Sequence, residues 1–176
     1  MNAGMIPKNH WVQTEVGAGR IIGEACHIID LFYYLTDSQP ISVSVEAMQT
    51  DHEHLFPTDN LSVQLSFEDG SLCSLLYTAV GNTKMSKERM ELFFDGKSIV
   101  MDDYKELKGY GLPSHFNEIV SRADKGHAQL LDTFFTALRA PQYVPPISFD
   151  RLQKVAEMTL IIDALACKGG GTQNVV

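Results

Sequence analysis

The apolar positions of the chain follow two different periods. Between Arg20 and Leu35, the residues Ile21, Ile22, Ala25, Cys26, Ile28, Ile29, Phe32 and Leu35 cover most of a helical circumference, while Glu24, His27 and Asp30 step by three along one stripe. Asp37 to Pro40 break that pattern. Ile41, Val43, Val45 and Ala47 then alternate with Ser42, Ser44 and Glu46, and Leu61, Val63, Leu65 and Phe67 alternate with Ser62, Gln64 and Ser66. That is the period of half-buried strands. Asp69-Gly70 predicts a hairpin turn into residues 71–79, and 90–94, 98–101 and 104–107 read as further strands, with Asp95-Gly96 between the first two. Strands joined by tight turns imply antiparallel pairing.

From about Lys125 the period becomes helical again, with Leu130, Leu131, Phe134, Phe135 and Leu138 on one side until Pro141, Pro145 and Pro146 stop it. Ser148 is placed as an N-cap, with Asp150 in the first turn, for a last helix that buries Leu152, Val155, Ala156, Thr159, Ile162 and Leu165 and ends at Gly169. The order helix, strand run, helices predicts an α+β fold: an open, mostly antiparallel sheet with helices packed on one face. Residues 1–168 read as one domain. Residues 169–176, with three glycines and little apolar surface, read as a flexible tail. The first sixteen residues and the polar stretch 51–60 have neither period and read as loops.

Composition narrows the function. With 14 Lys+Arg against 22 Asp+Glu the chain carries a formal charge of −8, and no basic stripe gathers its lysines, which argues against nucleic acid as a partner. No run of eighteen apolar residues and no cleavable leader pattern are present, so neither a membrane span nor secretion is expected. Cys26, Cys73 and Cys167 form no paired framework, which fits a reducing, cytoplasmic setting. The polar face of the three best strands is mainly Ser and Gln, with Glu46 as its one charge; interface centres share that depletion of charge, as does a serine-rich solvent face.

Three ionisable side chains within a largely apolar helix mark residues 17–31 as the place to look for chemistry. Gly17, Gly19 and Gly23 are spaced G-x-G-x-x-x-G and follow no buried strand, so they are not the dinucleotide fingerprint; they let the backbone turn closely into the helix. Glu24-x-x-His27 is half of a di-iron carboxylate motif without its second copy. His10, His52, His54, His115 and His127 stand at no ligand spacing with His27, so no metal site is expected. On these residues alone, His27 reads either as a catalytic imidazole or as a core histidine bonded to Glu24 or Asp30 within a noncatalytic binding or oligomerisation module.

The run Gly17-Ala-Gly-Arg-Ile-Ile-Gly-Glu-Ala-Cys-His27-Ile-Ile-Asp30-Leu, followed by a Ser/Val strand, resembles the Gfo/Idh/MocA oxidoreductases, specifically their C-terminal half. Residues 2–11, 87–107 and Pro146-Ile-Ser-Phe149 look similar in the same order. The resemblance implies the substrate-binding and dimerisation domain, with a dihydrodipicolinate-reductase-like fold, of an enzyme acting on a secondary hydroxyl of a sugar, sugar derivative or polyol. NAD or NADP would be bound by an N-terminal Rossmann domain that these residues do not include, so this chain reads as a half, with no cofactor site of its own and a sheet face that pairs two copies. By the same resemblance His27 is the residue that exchanges a proton with the substrate hydroxyl. Glu24 stands one residue after the position of the usual family aspartate, here Gly23, and is expected to stand in for it as a second catalytic residue beside His27. Asp30 matches a second acidic position and is expected, with Lys8, His10, Trp11 and Arg20 of the leading loop, to contact substrate.

Overall fold

In the computed structural model, which describes residues 1–49 and 55–175, the backbone forms two compact units. The chain read above as one domain thus divides, with residues 1–82 and 150–176 in the first unit and 83–149 in the second. Each unit is built on a four-stranded antiparallel sheet, so the antiparallel α+β fold expected from the strand run holds, with its strands divided between two sheets.

In the first unit a helix opens with a π turn over Ile21–Ala25 and continues as α1, Cys26–Thr36. Asp37, in the left-handed region at φ 48°, returns its N–H to the Tyr33 carbonyl and ends the helix where the sequence breaks. β1 (Pro40–Ala47), β2 (Asn60–Phe67) and β3 (Leu72–Thr78) follow as antiparallel neighbours. Their inward residues Val43, Val45, Leu61, Val63, Leu65, Phe67, Leu75 and Tyr77 form one core with Ile29, Phe32 and Tyr33 of α1. The last helix of the chain, Phe149–Cys167, adds Met158, Ile162, Leu165 and Ala166 to the same core, so the alternation read from the sequence is the alternation of burial.

The expected flexible tail is an edge strand. Gly170–Asn174 pairs antiparallel with β1, and the Ser44 and Thr172 hydroxyls lie 3.0 Å apart across the pair. Gly170 has φ 131°, and a Cβ there would stand 2.7 Å from the Val45 carbonyl oxygen, so glycine is what lets this backbone close on β1. The outward rows of the finished sheet run Asn174-Ser42-Ser66-Leu72, Thr172-Ser44-Gln64-Ser74 and Gly170-Glu46-Ser62-Leu76. Leu72 and Leu76 are 67% and 66% exposed there.

In the second unit, β4 (Arg89–Phe94), β5 (Lys97–Asp102), β6 (Glu106–Tyr110) and a two-residue β7 (Glu118–Ile119) pair in sequence order, and α2 spans His127–Arg139. The strand expected at 104–107 begins later because Asp103 and Tyr104 both take positive φ and form the β5–β6 turn. A cleft of about 320 Å³ lies against Met101, Tyr104, Leu107, Val120 and Gln129 in this unit, and none of the expected site residues lines it. With α2 fixed, the last helix is α3, Phe149–Cys167, immediately preceded by Ser148.

Candidate functional site

The site begins with a close backbone contact. A Cβ on Gly17 would stand 2.4 Å from the Trp11 carbonyl oxygen and 2.4 Å from the Val12 Cα. This glycine therefore packs its own chain against the 3-10 turn Trp11–Gln13, and Gly19, at φ 78°, redirects the backbone into the helix. Gly17 thus faces protein rather than a phosphate.

Arg20, next in the chain, is only 5% exposed, which corrects the expectation that it lines the loop for substrate. Its guanidinium donates to the carbonyls of Gly4 (2.5 Å) and Ala3 (2.9 Å) and to Glu24 Oε2 (3.1 Å), and it lies 5.5 Å from the centre of the Tyr77 ring. Glu24 Oε2 also accepts the Tyr77 hydroxyl hydrogen. The role expected for Glu24, a stand-in for the family aspartate beside His27, is replaced by a structural one: its carboxylate neutralises a buried guanidinium and ties the π turn to β3. Burial and the facing carboxylate hold the Tyr77 phenol well above its ordinary range.

His27 follows on the first turn of α1 and is exposed. Among the described residues its imidazole has no hydrogen bond or ion pair, and this corrects the alternative of a core histidine bonded to Glu24 or Asp30. Asp30, one turn on, is engaged elsewhere: Arg151 at the start of α3 gives its carboxylate Nε (3.2 Å) and Nη2 (3.1 Å) and its carbonyl a further Nη2 contact (3.0 Å). The same guanidinium lies over the exposed Tyr34 ring at 5.5 Å. The stripe of Glu24, His27 and Asp30 is thus two anchors flanking one exposed imidazole. Burial pushes the neighbouring Cys26 thiol up, which does not favour a thiolate nucleophile.

On the leading loop, Lys8 and Trp11 are exposed, Trp11 at 65%. His10 caps the 3-10 turn, its Nδ1 accepting the Val12 N–H at 3.3 Å, so Nε2 is left as the donor nitrogen of a neutral ring. His115 and His127 belong to the second unit, and His52 and His54 lie outside the described residues. Among the described residues no group of three or more His, Cys, Asp or Glu is placed to hold a metal ion, and no helix is long and apolar enough to cross a membrane. Sequence reasoning missed Tyr77, Arg151, Gln13 and Asp59. The first reads as an ordinary inward strand residue, and the others are polar residues whose partners lie 46 and 121 positions away.

Residues 2–100 match the profile of the GFO/IDH/MocA C-terminal domain. The chain belongs to this family. No curated protein sequence matches it. Among solved structures, the GFO/IDH/MocA chain is similar to UDP-N-acetylglucosamine 3-dehydrogenase GnnA from Acidithiobacillus ferrooxidans (TM-score 0.67, 18% identity, 92% of this chain and 50% of that one). It is also similar to the aldose-aldose oxidoreductase from Caulobacter crescentus complexed with glycerol (0.67, 16%, 99% and 53%). The WlbA dehydrogenase from Bordetella pertussis, in complex with NADH and UDP-GlcNAcA, is a third (0.54, 14%, 89% and 45%). These likenesses establish a shared fold, and the GFO/IDH/MocA chain spans about half the length of the structures it matches.

Proposed function

We propose that this chain is the substrate-binding and dimerisation half of an NAD(P)-dependent oxidoreductase acting on a secondary hydroxyl of a sugar, sugar derivative or polyol. The single observation that carries the reading is the exposed, unpartnered imidazole of His27, held at the start of α1 between two tied carboxylates. A secondary alcohol gives up hydride readily only as its O–H proton leaves, and a neutral imidazole is the side chain suited to taking that proton near neutral pH.

A nicotinamide supplies the hydride acceptor in such reactions, and its binding is assigned to a Rossmann domain outside these residues. Gly17 offers it no room, since the backbone of Trp11 and Val12 fills the space beside its Cα. Around the hydroxyl, Lys8, His10 Nε2 and the face of Trp11 are proposed to contact the sugar, because all three belong to the leading loop and Lys8 and Trp11 stand open. Arg20, Glu24 and Asp30 are assigned to holding the helix. The Ser, Thr and Gln rows with Leu72 and Leu76 are proposed to pair with a second copy, a surface almost free of charge apart from Glu46. The free thiols of Cys26, Cys73 and Cys167 support a cytoplasmic setting.

The test is an assay of the complete gene product with NAD⁺ and NADP⁺ against free sugars, UDP-sugars and polyols. The expected result is turnover of at least one sugar class, with His27→Ala lowering kcat about a hundredfold or more. Turnover unchanged in the variant would overturn the role of His27, and no turnover of any of these classes would overturn the substrate class.

A further inference from the structure

The leading loop is gripped at two points by one short segment of the first unit. Lys8 Nζ lies 4.9 Å from the centre of the Phe56 ring, and Gln13 Nε2 donates to Asp59 Oδ2 at 2.5 Å. Phe56 and Asp59 are themselves firmly mounted. The Asp59 N–H and the Asn60 side-chain amide both bond to the Phe56 carbonyl, at 3.0 and 3.3 Å, while Asn60 Oδ1 accepts the Ala79 N–H (2.9 Å) and the Thr78 hydroxyl (3.0 Å) at the end of β3. Between the two grips the loop is a closed run of turns: His10 bonds back to Pro7, Gln13 to His10, and Thr14 to Trp11.

Asp59 makes the second grip specific. Its side chain is 4% exposed, its Oδ1 is buried without a hydrogen-bond partner, and Oδ2 is held by Gln13. Losing Gln13 would leave a buried carboxyl with neither oxygen satisfied, so the loop has a strong reason to stay where it is. What it carries outward is Trp11, the single tryptophan of the chain.

We propose that Gln13 and Asp59 are a positioning pair that, with the Lys8–Phe56 contact, fixes residues 8–13 to the sheet and presents the Trp11 indole as a preset face for the sugar ring of the ligand. The assignment of a sugar rests on the function proposed above; the mounting of the loop does not. A preset aromatic face spares the ligand the cost of ordering it.

The experiment uses the 176-residue chain. Gln13→Ala is expected to speed amide exchange at Val12, Gln13, Thr14, Gly17 and Ala18 about tenfold and to add a fast component to the Trp11 fluorescence anisotropy decay, while β1 and β2 amides keep their protection. Asp59→Asn retains an acceptor and is expected to keep the loop closed. Gln13→Glu, setting a second carboxylate against Asp59, is expected to release it further. With UDP-N-acetylglucosamine as probe, Gln13→Ala should weaken Kd about tenfold, and adding it to Trp11→Ala should weaken nothing more, because it acts through the indole. Loop exchange and Trp11 mobility unchanged in Gln13→Ala would overturn the proposal, as would an additive loss of affinity in the double variant. If the unaltered chain fails to bind the probe, that sugar reading falls, and the exchange and anisotropy results still decide the pair.

Discussion

Tyr77, inward on β3, donates its hydroxyl hydrogen to Glu24 in the π turn, and through that one bond the sheet fixes how the first helix begins. A π turn adds a residue to the helical circuit and is often found where a side chain must be redirected. Here the redirected residues are Arg20 and Glu24, which face inward, while His27 emerges one turn later.

The network predicts an order of damage. Tyr77→Phe removes one bond to a carboxylate and is expected to cost about 1.5–3 kcal/mol. Glu24→Ala leaves the buried Arg20 guanidinium without its anion and is expected to cost about 3–5 kcal/mol, measured by urea unfolding. Equal losses in the two variants would show that Glu24 does not neutralise Arg20.

His27 gives the opposite expectation. An exposed imidazole without partners contributes little to folding, so His27→Ala should unfold within about 0.5 kcal/mol of the parent chain. A larger loss of stability in the same urea titration would mean that the ring is a structural residue after all.

The pH dependence of stability carries the signature of Asp59. Burial pushes this carboxyl above its ordinary range, and the Gln13 bond and Arg20 pull it only partly back. The folded state therefore holds the Asp59 proton more tightly than the unfolded chain does. Its contribution is fully present below the unfolded pKa, about 3.9, and is lost as pH rises through the raised folded value. Melting temperatures of the parent and Asp59→Asn should thus shift in favour of the variant as pH rises from about 4. A difference that does not change with pH would contradict the raised pKa.

At the end of the chain, Gly170→Val is expected to detach the edge strand, because its Cβ would meet the Val45 carbonyl at 2.7 Å from a backbone at φ 131°. The check is exchange at β1: the amides that bond to the Gly170–Asn174 strand should lose protection, while those facing β2 keep theirs.

Much of the first unit was legible because its side chains alternate. Val43, Val45, Val63 and Leu65 have the burial their period implies, and the Asp69-Gly70 turn joins β2 to β3. The strand at Gly170 was not legible, since backbone bonds and missing Cβ atoms hold it, and neither leaves an apolar pattern. The helical period at 20–35 gives no sign of the π turn, whose Glu24 is bonded to Tyr77, 53 residues away. For the site, the reactive candidate was visible in the sequence and the anchors were not: Arg20, Glu24 and Asp30 look like ligand-facing charges until their partners Gly4, Tyr77 and Arg151 are brought in by the fold.

The bare Cα of Gly17 has a consequence for interpreting variants of this chain. One methyl group there would collide with the main chain of Trp11 and Val12, shifting the tryptophan and the helix origin together. Under the function proposed above, a replacement at this position would thus register in a screen as lost ligand recognition, although what its Cβ meets is main chain.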